Sequence, residues 1–163
     1  GGPFAAMTSS SLVIRRMAFA DSEALAETFL EWHKPLSQFE NYYLEHLLEK
    51  RLVLVARLDD ETVGYTTLMW ESLYTHFWRR RIPEVVDLNV WPTYQRQGIG
   101  TALIARCESE AAKRGFSHLG ISVVQTDEYA KAEHLYRALG YVPDGFGITQ
   151  EDNELHLVKK IPD

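Results

Sequence analysis

The sequence predicts a single α+β domain whose sheet holds both antiparallel and parallel strand pairs, and three observations predict it. Seven short apolar runs rich in β-branched residues are interspersed with four helical patterns. Two of those runs, 52–58 and 62–70, are joined by Asp59-Asp60-Glu61 and read as an antiparallel hairpin. Two others, 85–90 and 118–124, are joined through one long helical pattern, and a right-handed crossover of that kind makes its strands parallel. A chain of 163 residues has the size of one domain.

The elements follow in order. Residues 1–6 (GGPFAA) precede Met7 and read as a leftover of cloning, so the domain is taken as 7–163. Leu12-Val13-Ile14-Arg15-Arg16 is a first strand. Asp21 or Ser22 caps a helix running to about Trp32, and His33-Lys34-Pro35 breaks it. Ser37 caps a second helix to about Lys50, with aromatic residues on more than one face. After the hairpin, residues 71–82 lose regularity and read as a loop mixing Tyr74, His76, Phe77 and Trp78 with Arg79-Arg80-Arg81. The strand at 118–124 leads to a helix from about Glu128 to Leu139, closed by Gly140. Tyr141-Val142 begins a short strand, Pro143-Asp144-Gly145 is a turn, 146–153 is loop-like, and 155–160 is the last strand, half exposed by its alternation.

The stretch from Pro83 to Gly115 organises the rest. Val85, Val86, Leu88 and Val90 form a strand that Trp91-Pro92 ends, because proline cannot donate to a ladder. A polar turn, 93–97, precedes Gly98-Ile99-Gly100. Ile99, Leu103, Cys107 and Ala111 then recur at helical spacing. A strand feeding a glycine-bearing turn at a helix N-terminus is an anion site, since the first helical N–H groups lack partners and glycine lets a phosphate approach the backbone. A phosphate or pyrophosphate therefore belongs over Gln95, Arg96, Gln97, Gly98, Ile99, Gly100 and Thr101. Two common phosphate motifs fail: no Gly-Lys-Ser/Thr follows the turn, and position 103, where a dinucleotide fingerprint needs its third glycine, is leucine.

The turn Gln95-Arg96-Gln97-Gly98-Ile99-Gly100 resembles the Q/R-x-x-G-x-G/A signature of the GCN5-related N-acetyltransferases, the GNAT superfamily. Downstream, the segment from Ala132 to Tyr141 resembles that family's A-x-x-L-Y-x-x-x-G-F/Y landmark. The resemblance covers nearly the whole chain, 12–161. It implies a mixed, mostly antiparallel central sheet of about seven strands flanked by about four helices, whose two parallel strands splay at their C-terminal ends. It implies acetyl-CoA as co-substrate, its pantetheine arm hydrogen-bonded along Leu88, Asn89 and Val90 and its pyrophosphate on 95–101. The reaction it implies is direct acetyl transfer to an amine of a small molecule or protein. An alkyl ammonium, with a pKa of about 10.4, cannot attack until a proton is taken from it.

Glu84, at the start of the central strand, stands where the histone-acetyltransferase branch has a glutamate and is the first candidate base. Asp87 is the second candidate, as base or acceptor-binding group, and its odd separation puts it one face over from Glu84. Solvent reached through the split sheet is a third route for the proton. Tyr136 matches the family tyrosine near the CoA sulfur and is the candidate acid. One departure is clear: Tyr129 occupies the position where many members carry a CoA-contacting asparagine.

Composition narrows the alternatives. A net charge of −6 argues against a nucleic-acid surface, which needs a basic stripe, and leaves 78–81 as the one basic-aromatic segment. Cys107 alone cannot form an intrachain disulfide, which fits a reducing cytoplasm, and on an apolar helix stripe it reads as core. No apolar run reaches the roughly 18 residues of a membrane span. The six histidines show no i, i+4 pair, and no metal constellation emerges. A homodimer is left open. The competing function, from a different class, is a non-catalytic acyl-CoA-binding module of the same fold.

Overall fold

The computed structural model describes residues 11–162, so the expected cloning leftover at 1–6 lies outside the described residues. Seven strands form one sheet in the order β1-β2-β3-β4-β5-β7-β6. They are β1 (Leu12–Arg16), β2 (Arg51–Leu58), β3 (Glu61–Met69), β4 (Glu84–Val90), β5 (His118–Val124), β6 (Val142–Thr149) and β7 (Glu154–Lys160). Five helices accompany them: α1 (Asp21–Thr28), α2 (Leu36–Leu47), α3 (Thr75–Arg80), α4 (Ile99–Lys113) and α5 (Ala130–Ala138). Among the described residues, only β4 and β5 pair in parallel; the other neighbours are antiparallel. The expected mixed seven-strand sheet is therefore the observed one.

Alternation along the strands sorts the side chains into two layers. Leu52, Leu54, Val85, Leu119, Ile121, Val123 and Leu157 point to one face, where Ile99, Leu103, Cys107 and Ala111 of α4 and Tyr136 of α5 cover them. Cys107 is buried there, and burial pushes its thiol well above the ordinary range, which makes it packing and not a nucleophile. The opposite face carries Val53, Val55 and Tyr65 under Leu25, Phe29 and Phe39 of the α1–α2 region. Further along that face, Phe77 of α3 packs with Ile82 and Val158.

Five local expectations change. The first helix is shorter than expected: α1 ends at Thr28, and a separate 3-10 turn spans Leu30–Trp32. Neither Asp21 nor Ser22 caps it, because Ala20 holds the cap position and Asp21 is drawn into a two-pronged pair with Arg15 at 2.7 and 3.0 Å. Pro35, not Ser37, precedes α2, with no side-chain cap. The irregular stretch 71–82 contains α3, whose Phe77 buries completely while Trp78 stays exposed. Residues 142–149, expected as strand, turn and loop, form one edge strand. Its register against β7 breaks between Pro143 and Ile148, so the Pro-Asp-Gly sequence is a bulge inside β6.

The sheet's central feature is the split between β4 and β5. Their parallel ladder holds only Glu84 opposite Gly120 and Val85 opposite Ile121. Beyond Val85 the strands part, leaving the β5-facing backbone edge of β4 from Leu88 to Val90 outside that ladder.

Candidate active site

The split opens towards the start of α4. There Arg96 and Gly98 both adopt positive φ, 64° and 80°, and Gly98 is the helix N-cap. Alternating left-handed residues turn successive N–H groups to one side, the geometry of an anion-binding nest. The first helical bond in this turn runs from the Ala102 N–H to the Gly98 carbonyl, so the N–H groups of the preceding turn are left for a ligand. A side chain at Gly98 would project into open space, and residues 95–98 are exposed. Gln95 Nε2 donates to the Val90 carbonyl at 2.9 Å, tying this turn to the end of β4. The predicted pyrophosphate turn 95–101 is thus tied to the predicted strand edge 88–90. Tyr129, by contrast, is exposed on a 3-10 turn, Asp127–Tyr129.

Glu84 and Tyr136 sit on opposite faces of the sheet. Val85 belongs to the α4–α5 layer, so its neighbour Glu84 points to the other face. Glu84 is only 7% exposed. Its Oε1 accepts the Ser72 hydroxyl at 2.6 Å and its Oε2 the Ser122 hydroxyl at 3.0 Å. Phe77 lies over Gly120 directly beside it; a Cβ at position 120 would fall 2.3 Å from the Phe77 ring. Tyr136 is buried in the opposite layer, and burial pushes its phenol up to about 12, so the hydroxyl keeps its proton at physiological pH.

Asp87 does not lie where strict alternation puts it. The β3–β4 register pairs Tyr65 with Asn89 and Thr67 with Val86, leaving an extra residue on β4, and Asp87 takes φ 64°. The bulge swings its carboxylate onto the face that Glu84 shares, where it accepts hydroxyls from Tyr65 at 2.7 Å and Tyr42 at 2.8 Å. Asn89 Nδ2, Gln38 Nε2 and Lys34 Nζ add contacts at 2.7, 3.2 and 3.2 Å. Burial pushes this carboxyl up, but the Tyr65 hydroxyl, the Lys34 charge and the Tyr42 hydroxyl outweigh it and hold Asp87 below its ordinary value. Asp87 is therefore a held anion that ties α2, β3 and β4 together.

Sequence reasoning brought Glu84, Asp87, Tyr136 and the anion turn to one region but missed their partners. Tyr42 was visible only as one ring among several on α2. Ser122 carried a signal, a hydroxyl in an otherwise apolar strand, but what it touches depends on strand pairing. Among the described residues, no group of three or more His, Cys, Asp or Glu is arranged to hold a metal, and no helix is long and apolar enough to cross a membrane.

Known proteins share this architecture. A crystal structure assigned to the GNAT acetyltransferases, from Desulfovibrio desulfuricans, superposes with a TM-score of 0.76 at 16% identity, covering 93% of this chain and all of that one. The acetyltransferase-assigned yncA from Salmonella typhimurium, solved with acetyl-CoA, superposes with a TM-score of 0.72 at 19% identity over 94% of this chain and 95% of its own. In sequence, the chain is 27% identical over 93 residues to streptothricin acetyltransferase of Streptomyces lavendulae. That match takes in 57% of this chain and 45% of the relative, so the chain spans less than half of that protein's length. The acetyltransferase (GNAT) family model matches residues 19–141, most of the chain including both the anion turn and Tyr136, and the chain belongs to that family.

Proposed function

We propose that this protein is an acetyl-CoA-dependent N-acetyltransferase that transfers directly to a primary amine, with Glu84 as proton acceptor and Tyr136 as proton donor. The observation that carries this reading is the placement of Glu84 and Tyr136 on opposite faces of one split sheet, with an anion nest at its mouth. When bound, acetyl-CoA supplies an activated acyl carbon and a thiolate leaving group. The residues that would hold it are the β4 edge at Leu88, Asn89 and Val90 and the turn Gln95, Arg96, Gln97, Gly98, Ile99, Gly100 and Thr101.

The chain's own groups then divide the proton work. Glu84 takes the proton that an ammonium must shed before its nitrogen can attack. A backbone N–H near Val90 is assigned to the oxyanion that develops on the acyl oxygen. The Tyr136 hydroxyl, kept protonated by burial, gives its proton at the departing sulfur and is restored by the second proton that the nitrogen sheds on becoming an amide, so one proton in all is left on Glu84. Asp87 is assigned to the acceptor wall, since a carboxylate held by Tyr65, Tyr42 and Lys34 is a poor proton acceptor. Positioning both reactants across the split supplies the remainder.

The test is free-thiol release from acetyl-CoA against a panel of small amines and amine-bearing peptides. Thiol release that depends on one class of amine supports the enzyme and names its acceptor. Tight CoA binding with no amine-dependent release across the panel favours the non-catalytic module.

A further inference from the structure

Glu84 is enclosed, so a proton it receives needs a way out. Each transfer from an ammonium ends with one proton released to solvent, and a base that is 7% exposed with both oxygens occupied by hydroxyls meets little water directly. The paired strands beside it supply polar groups on the same face. Glu84 lies opposite Gly120 on β5, and Ser122, two residues on, shares that face. Ser122 pairs with His156 on β7, and Val124 with Glu154, so Glu154 is the diagonal neighbour of Ser122. The Ser122 hydroxyl donates to Glu84 Oε2 at 3.0 Å, and the β5–β7 register sets Glu154 diagonally beside it on the same face. Glu154 is more open than Glu84, its side chain 28% exposed.

We infer that Ser122 and Glu154 form a proton exit for Glu84, carrying the proton taken from the acceptor amine out to solvent. The inference rests on Glu84 being the base. The transfer is balanced: Glu84 hands its proton to Ser122 Oγ as the hydroxyl proton of Ser122 passes to Glu154, and Glu154 then releases it to water. No other reactant is needed.

The surroundings suit this task. Burial, with the charges of Asp152 and Glu84, pushes the Glu154 carboxyl up to about 7, so it can accept and return a proton near neutral pH. The charged groups bearing on it are Glu84 from β4 and Asp152 from the β6–β7 turn, with His156 of β7 beside it; Asp144 of β6 and His76 bear in turn on His156, against which Tyr74 stacks. Among the described residues, none of the four carboxylates is paired with a lysine or arginine. His156 is 2% exposed, stacks on Tyr74 with ring centroids 3.5 Å apart, and lies 4.0 Å from Glu154. Its Nδ1 has no hydrogen-bond partner among the described residues. Burial lowers the pKa of that imidazole, so it packs beside the exit in neutral form. Glu154 and Ser122 touch no reacting atom; they are positioning residues for the proton.

The experiment measures the pH dependence of kcat and of kcat/KM for the acceptor in Glu84→Gln, Glu154→Gln, Glu154→Asp and Ser122→Ala. The exit works only when Glu154 is ionised, so the native rate should rise with pH through about 7. Glu154→Gln should lower kcat by ~10-fold or more at neutral pH and abolish that limb, without changing acetyl-CoA affinity. Ser122→Ala should do the same, imidazole buffer should restore part of the lost rate in both, and Glu154→Asp should recover the limb. A Glu154→Gln protein with native kcat and an unaltered limb overturns the exit. So does a lower kcat with the native pH profile and no buffer rescue, which marks a structural role. Full turnover in Glu84→Gln overturns the base assignment itself, whereas lost turnover there beside an unaltered Glu154→Gln overturns the exit alone.

Discussion

The Tyr65 hydroxyl donates to the Asp87 carboxylate at 2.7 Å because a bulge turns Asp87 out of the strand's alternation. That bond joins β3 to β4 at the edge of the split. Tyr42 and Gln38 extend it to α2, and Lys34 to the segment before α2. One anion thus fixes the distance between the α1–α2 cap and the strand that carries Glu84.

Replacing Asp87 tests this. Asp87→Asn removes the charge that Lys34 faces and forces an amide among hydroxyl donors, at a cost of about 1–3 kcal/mol. The folded carboxyl titrates below its ordinary value, so its stabilising effect is full above about pH 4 and fades as the pH falls through the lower folded value. Thermal melts should show a gap between native and Asp87→Asn proteins that is widest near neutrality and closes in acid. A gap that stays constant with pH would mean the carboxylate's charge contributes nothing. Because Asp87 is assigned to the acceptor wall, the variant should raise KM for the acceptor more than it lowers kcat.

Gly120 is a second test of the wall around Glu84. Its Cβ would meet the Phe77 ring at 2.3 Å, far inside contact distance. Gly120→Ala should push Phe77 and α3 outward and cost about 1–3 kcal/mol, as overpacked cores do. Phe77→Leu alone leaves a gap, but combined with Gly120→Ala it makes room. A double-mutant cycle should therefore give less destabilisation than the sum of the single changes. Strict additivity would show that ring and glycine are not in contact.

The anion turn can be probed without confusing strain and ligand. Gly98 holds φ 80°, where most side chains are strained by roughly 1–2 kcal/mol. Asparagine tolerates this conformation better than valine does. Gly98→Asn should keep its melting temperature near native while weakening acetyl-CoA binding; Gly98→Val should lose both. Calorimetry on the Asn variant decides the matter: native affinity would place the pyrophosphate elsewhere.

The sequence made some of this legible and hid the rest for definite reasons. β4, the anion turn and α4 follow from local signals: a β-branched run, Trp91-Pro92, a paired glycine turn and a helical stripe ending at Gly115. The parallel pairing of β4 and β5 followed from handedness alone. The bulge at Asp87 did not, because it exists only in register with β3, and no residue of β4 announces it. The same holds for Ser122, Glu154 and His156, which become neighbours only when β5 pairs with β7. β6 was misread because Pro143, Gly145 and Gly147 are loop residues by local preference, and an edge strand tolerates them where a central one would not.

The remaining prediction concerns the two ends of the proton path. Glu84→Gln keeps nearly the same volume, and its amide oxygen can still accept one of the Ser72 and Ser122 hydroxyls while its NH2 donates to the other, so the fold and acetyl-CoA affinity should survive. The chemical step should slow by around 10²–10⁴-fold, the usual scale for a positioned proton acceptor. Tyr136→Phe removes one hydroxyl from a buried ring that packs with α4 and should leave the melting temperature within a few degrees of native. Turnover should still fall, most for acceptors and conditions in which departure of the thiolate limits the rate. If both groups act on a single transition state, the double variant should lose less than the product of the two single losses. Single-turnover measurements on an acceptor verified by thiol release would show this. A Glu84→Gln enzyme at full speed would move the proton to solvent in the split sheet and leave positioning as the main source of rate.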